Sequence, residues 1–481
     1  MANLKKIDDY RWEIPKGYVE GMLVPGIIYS DEKMLQSLEK EQVMKQVANV
    51  ACLPGIVRYS FAMPDAHWGY GFAIGGVAAT DPAQGGVISP GGVGYDINCG
   101  VRLIKTNLKV NDVKGKISGL MDALFNNVPC GVGVGGKIKI SQQQEKELLQ
   151  SGSKWAVKQG YGVQDDLIHT EENGCLAGAE PDKVSPRAYE RGKGQSGTLG
   201  SGNHFLEVQK VDEIYDEEKA KVFGIEKGQI TIMIHSGSRG LGYQVCDDNL
   251  RVMQKAVSKY GIKLPDRQLV SVPVDSPEGK DYFSAMASAA NYAWCNRQVL
   301  MHLVRETFGK FFGRDWRDLG MELIYDVAHN IAKFEKHKVN GKETRLCVHR
   351  KGATRAFPPN HSDIPAKYKK IGQPVIIPGD MGRASYLLVG TEKAFKETWG
   401  STCHGAGRTM SRHQAIKFAE GRLIHKEMES KGIVVRARDK STLAEEMSEA
   451  YKDVNMVVDI VHKAGISQKV ARMKPLGVIK G

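Results

Sequence analysis

Five short strings in this chain place a metal-binding or nucleophilic side chain inside a turn rich in glycine, asparagine or serine. GGVGYDINCG carries Asp96 and Cys99. GTLGSGNHFLE carries His204 between Asn203 and Glu207. MIHSGSRG carries His235, YDVAHN carries His329, and STCHGAGR carries Cys403 and His404. A lone histidine in such a setting is ordinarily structural. Four of them, with a carboxylate and a thiol, suit a divalent transition metal. Thiolate and imidazole favour zinc, and the carboxylate widens the choice to manganese, iron or cobalt. A thiolate can bridge two metals, and a dinuclear site is suited to clamping phosphate oxygens. Asp96 and Cys99 lie three residues apart, so one turn can serve the same ion or two neighbouring ones.

The small residues after His404, in HGAGR, bare backbone N–H groups ahead of a helical pattern near Ser411, which makes an anion cradle. Arg408, Arg412 and Arg239 add fixed positive charge for phosphate. The remaining histidines lack this setting. His302, His413, His425 and His462 fall in helical patterns, His169, His337 and His361 in polar loops, and His67 and His349 are intermediate. Two strings imitate nucleotide loops. GVGVGGK (131–137) has a phosphate-loop outline, but Ile138 stands where a hydroxyl should hold magnesium and a helical pattern precedes it. GKGQSG (192–197) has dinucleotide spacing without a preceding strand.

These residues need elements to hold them. Helical period runs through about 36–50, 142–159, 280–313, 411–431 and 441–464. Strand-like runs cover 230–234, 322–327, 345–349, 374–377, 386–389 and 433–435. Strands and helices do not alternate, so a doubly wound sheet is disfavoured. The expectation is an α+β fold, one large domain over 1–481 with mixed sheets flanked by helices, and His235 and His329 at strand ends where sites form. Residues 51–100 hold four charged side chains, Arg58, Asp65, Asp81 and Asp96. Such a stretch should be buried, and a carboxylate within it needs a partner.

Composition is that of a soluble globular protein and excludes a disordered chain. The chain has 481 residues, 41% of them hydrophobic, and a net charge of +12. No run reaches the ~20 apolar residues of a membrane helix. The start shows no signal peptide and the eight cysteines form no CxxC pair, so a reducing, cytoplasmic setting is expected. Residues 1–250 carry 27 Lys+Arg against 31 Asp+Glu, and residues 251–481 carry 40 against 24. The basic half suggests a polyanion, with nucleic acid first in line.

Taken together, GGVGYDINCG, GSGNHFLE, HSGSRGLG, DVAHN and STCHGAGR closely resemble the RtcB-type RNA ligase family, the GTP-dependent tRNA-splicing ligases. The resemblance extends from PDAHWGYGFAIGGVAA to the terminal GVIKG. It implies an enzyme that joins an RNA 2′,3′-cyclic phosphate or 3′-phosphate end to a 5′-hydroxyl end with GTP and manganese. It implies that Asp96, Cys99, His204, His235 and His329 hold two Mn(II) ions, with Cys99 bridging, and that His404 is the nucleophile that takes the guanylyl group. The guanylate pocket it implies comprises Asn203, Phe205, Leu206, Glu207, Asn330, Pro378, Gly379, Asp380, Met381, Ser385, Gly405, Ala406, Gly407, Tyr451 and Lys480, with Glu207 reading guanine. RNA contacts are expected at Arg239, Arg408 and Arg412. Partners would be tRNA halves or broken RNA, GTP and an archease-like helper. One string departs from the family pattern: PGDMGR replaces PGSMGT, placing Asp380 and Arg383 beside the expected nucleotide. The residues alone leave two alternatives, a metal-dependent RNA-end phosphohydrolase without nucleotide transfer and a non-enzymatic basic RNA-binding protein.

Overall fold

The computed structural model describes residues 4–40 and 42–481. It is α+β with mixed sheets, as expected. The larger sheet runs in the order Glu322–Ala328, Gly100–Lys109, Gln229–Ser236, Phe205–Ile214, Ser467–Lys480, Ser385–Gly390 and Pro374–Ile377, and Val434–Ala437 lies parallel to Ser467–Lys480. The smaller sheet runs from Lys5–Asp8 through Arg11–Ile14, Gly26–Tyr29, Ile56–His67, Ile74–Thr80 and Lys342–Lys351 to Asn330–Val339. Its one parallel pair is Gly26–Tyr29 with Ile56–His67.

The helix Pro277–Phe312 is the main support of the larger sheet. Its start is written in the sequence: Ser276 caps Gly279 N–H and Pro277 occupies the first turn, where its missing N–H costs nothing. Gly313, at φ +64°, ends it in the left-handed conformation that glycine adopts without strain. Nearly every turn is buried, so the helix is apolar around most of its circumference and carries selected polar groups inward. Arg297 is one. It donates to Asp326 Oδ1 and Oδ2 at 2.8 Å each and to the carbonyls of Asn98 and Ser236 at 2.8 and 2.9 Å. Asn296 Oδ1 accepts from Gly197 and Thr198 N–H at 2.8 and 3.0 Å. The helix thereby ties together four of the five strings singled out above.

Several helical patterns are shorter than periodicity suggested. The 36–50 pattern is two helices, Glu32–Lys40 and Val43–Val50. The 142–159 pattern breaks at Gly152, 411–431 divides into Arg412–Phe418 and Ile424–Ser430, and 441–464 breaks before Val454. His337 is buried on the strand Asn330–Val339, not in a polar loop, and His169, though in a turn, is buried too, which corrects their reading. Among the described residues no helix is long and apolar enough to cross a membrane.

Candidate active site

Each turn that carries a candidate residue is fastened to its neighbours. Cys99 N–H bonds Asp96 O at 3.0 Å, closing the turn between the two ligand candidates, and Asn98 sits inside it at φ +51°. Asparagine tolerates that conformation, and Nδ2 of Asn98 is anchored on Ala290 O at 2.7 Å. His329 N–H donates to Cys99 O at 2.7 Å, and Asn98 N–H to Asn330 O at 2.7 Å. The Asn330 side chain closes the frame, accepting from Gly352 N–H and donating to Asp96 O.

The side chains meet in the interior. Cys99 Sγ lies 3.1 Å from His235 Nε2 and 3.5 Å from His204 Nε2. His204 Nε2 is also 2.9 Å from Asp96 Oδ2, while its Nδ1 faces the Arg239 guanidinium at 2.8 Å. Cys99, His204 and His235 present donor atoms within 4.8 Å of one another. The His329 ring is 5.8 Å from His235 and 5.3 Å from His404. Its Nδ1 meets Thr354 Oγ1 at 3.0 Å, and its buried Nε2 has no hydrogen-bond partner. A buried polar atom without a partner is costly. One left beside a thiol, two imidazoles and a carboxylate fits a transition cation.

Electrostatics agree. Burial and the Asp96 carboxylate push the Cys99 thiol well above its ordinary range, so a cation is what would stabilise its thiolate. Burial holds His235 and His329 well below the ordinary imidazole value, so both rings keep a free lone pair. Burial opposes ionisation of Asp96, but His204 and Arg239 outweigh it and hold the carboxyl low.

His404 follows the short strand Ser401–Cys403 and lines the same cavity, of about 370 Å³. Its Nδ1 is 2.6 Å from Asp65 Oδ2, a close contact lying off the ideal hydrogen-bond direction. Asp65 is fully buried and also accepts from the backbone N–H groups of His404 and Gly405 at 3.0 and 3.2 Å. This corrects the anion-cradle expectation: the first two N–H groups of HGAGR hold the Asp65 carboxylate. Gly407, at φ +74°, lets the chain pass so close that a Cβ there would stand 2.1 Å from Asp65 O. Asp65 is a functional candidate that the sequence reading passed over. Its signal was the one used for Asp96, a carboxylate in a stretch almost free of charge.

Of the expected nucleotide residues, Asn203, Phe205, Asn330, Pro378 to Met381, Gly405 to Gly407, Tyr451 and Lys480 line the cavity. Leu206 points its side chain into the core on the opposite face of its strand, as alternation requires. Glu207 and Ser385 lie behind the wall, joined through Gln209 Nε2 at 2.7 and 3.3 Å. Burial raises the Glu207 carboxyl to about 7.

Three cationic groups divide by role. Arg408 is spent on protein partners: Met410 O, Glu445 O, Glu446 and the Tyr451 hydroxyl. Buried Glu446, unremarked in the sequence, also contacts Lys480 at 3.4 Å and Tyr451, so it ties one wall of the cavity together. Arg412 lines the cavity with its side chain 59% exposed, held only by a long contact with Glu445 at 3.8 Å. Lys351, missed in the sequence, also lines the cavity, and burial lowers its ammonium to about 7. The Asp380 departure is internally compensated: Asp380 accepts from Arg383 at 2.8 Å, from Gly382 N–H and from the Ser448 hydroxyl. The two departing residues pair with each other.

Comparison with known proteins agrees with this frame. The family model for tRNA-splicing ligase RtcB matches residues 46–481. The chain belongs to the RtcB family. It is 59% identical to the tRNA-splicing ligase RtcB of Archaeoglobus fulgidus over 478 residues, 99% of each chain. It is 56% identical to that of Thermococcus kodakarensis over 481 residues, covering 100% of this chain and 99% of the relative. The Methanococcus maripaludis protein of the same name is 56% identical over the whole of both chains.

Proposed function

We propose that this protein is an RNA ligase that joins 2′,3′-cyclic-phosphate or 3′-phosphate RNA ends to 5′-hydroxyl ends with GTP, through a guanylyl group carried on His404. Family membership supports the coarse activity, and the Asp65–His404 pair beside the Cys/His/Asp cluster is the observation that carries the chemistry. Asp65 holds the imidazole by Nδ1, leaving Nε2 as the nitrogen with a free lone pair for the α-phosphorus of GTP; pyrophosphate leaves as the P–N bond forms. A 2′,3′-cyclic phosphate is first opened by water, which breaks the P–O2′ bond and leaves a 3′-phosphate; an oxygen of that RNA 3′-phosphate then takes the guanylyl group and frees His404. The 5′-hydroxyl attacks the RNA 3′-phosphorus, and GMP departs. Asp96, Cys99, His204, His235 and His329 are suited to hold manganese, which when bound neutralises phosphate oxygens. Lys480 and Arg412 would hold phosphate charge, and Glu207 lies where it can meet guanine once neighbouring side chains adjust.

The test is incubation with α-labelled GTP and manganese, followed by mass spectrometry of the intact and digested protein. A guanylyl adduct on His404, acid-labile and alkali-stable, is expected, and none in His404→Ala. Absence of the adduct even with a helper protein added would sink the reading. Phosphate release from 3′-phosphorylated RNA without GTP would favour the phosphohydrolase instead.

A further inference from the structure

An aromatic ladder leads out of the cavity, and ligation chemistry gives it no role. Tyr70 and Tyr95 line the cavity, and their rings meet edge-on, 5.7 Å apart at 71°. Tyr95 stacks on Tyr243 at 4.7 Å and 25°. Tyr243 is 44% exposed, and the exposed Arg191 lays its guanidinium 4.8 Å from that ring. Tyr243 stands on the helix Arg239–Ala256, four residues after Arg239, so both share one helix face. Arg239 is the residue that touches His204. The ladder therefore begins at the ligand cluster and ends in solvent.

Its surroundings are basic. Arg187, Arg191 and Lys193 are exposed on the adjoining segment. Two of the nearby carboxylates are engaged, Asp247 by Arg251 at 2.8 Å and Asp248 by Ser185 and Gln244 at 2.6 and 2.7 Å, while Glu190, beside Arg191, is exposed. Aromatic faces beside fixed cations are what unpaired nucleobases and their phosphates bind, with little regard for sequence, because every base has a π-face. A stack made only for packing would have no reason to end in an exposed tyrosine and arginine.

We propose that Tyr95, Tyr243 and Arg191 seat the unpaired nucleobases next to the reacting end of the RNA, holding the strand so that its terminus reaches the cavity. The identity of the ligand rests on the ligase reading above. The test uses a short oligoribonucleotide with a 5′-hydroxyl and 2-aminopurine as its second base, a fluorophore quenched by stacking. Binding to the full chain should quench it. Tyr243→Leu should weaken binding about 5- to 100-fold and abolish the quenching, while Tyr243→Trp keeps both. Arg191→Ala should lower the slope of log K against log salt by ~0.7, one phosphate contact on a single strand, and Tyr243→Leu should leave that slope alone.

Unaltered affinity and quenching in Tyr243→Leu would overturn the proposal, as would equal loss in Tyr243→Trp, which would mark damage to the fold. Insensitivity to all three substitutions, with capture of a protein partner by this face, would overturn it in favour of that partner. The guanylyl adduct is scored separately on the unaltered protein. Adduct without ladder-dependent RNA binding fails the ladder alone; ladder-dependent binding without adduct fails the ligase chemistry alone.

Discussion

His404 and Asp65 are 339 residues apart in sequence, yet one carboxylate organises both the imidazole and the backbone that bears it. Asp65→Asn keeps an acceptor for the two N–H groups and loses the charge. The guanylylation rate should fall roughly 10²-fold, read by single-turnover labelling, with the melting temperature little changed. Asp65→Ala should also destabilise, because two buried N–H groups would lose their acceptor at about 1–3 kcal/mol each. Glu207 gives a pH signature. With its carboxyl raised to about 7, the folded protein retains a proton that the unfolded chain has released. Stability from this group therefore falls as pH climbs from about 4.5 to about 7, by about 3 kcal/mol, and levels off above. Urea unfolding of Glu207→Gln at pH 5 and pH 8 should lack that component. The ligand candidates were legible because each is a donor side chain in a turn or strand end containing glycine, asparagine or serine. Glu446 and Lys351 were not, because only the folded chain shows what their charges face; Asp65 carried the signal of a carboxylate in a nearly uncharged stretch, but its partner lies 339 residues away.

At the scale of elements, the long helix and the strands with high β-branched content could be read from pattern. The strand Ser467–Lys480 could not: its alternation is interrupted by Pro475 and Gly477, where its pairing with Phe205–Ile214 shifts register. Short helices merged in the sequence because periodicity does not register breaks as local as Gly152 or Gln42. The reach of the long helix into the site yields a test. Arg297 clamps Asn98 O and Ser236 O, the backbone on which Cys99 and His235 depend. Arg297→Lys retains charge but cannot span those carbonyls and both Asp326 oxygens at once. Manganese affinity should drop roughly 10- to 100-fold in isothermal titration, with circular dichroism confirming an intact fold. A variant that binds metal normally would show the clamp to be dispensable.

For the molecule as a whole, the proposed ligands come from four separate segments between Asp96 and His329. A cation held by all of them would cross-link the larger sheet to the edge strand Asn330–Val339 of the smaller one. Chelation should lower the melting temperature by several degrees, and manganese at 100 times its Kd should restore about 2.7 kcal/mol. Cys99→Ala should show neither response in differential scanning calorimetry.

Ser467–Lys480 lies between Phe205–Ile214 and Ser385–Gly390, and it brings Lys480 to the cavity. On a ribosome, residue 205 emerges long before residue 480. Until the later segment is made, the larger sheet exists as two pieces with bare inner edges, each a template for wrong pairing. The most distant pairing in the sheet is thus the one on which its closure waits, so maturation should be slow and dependent on protection of those edges during synthesis.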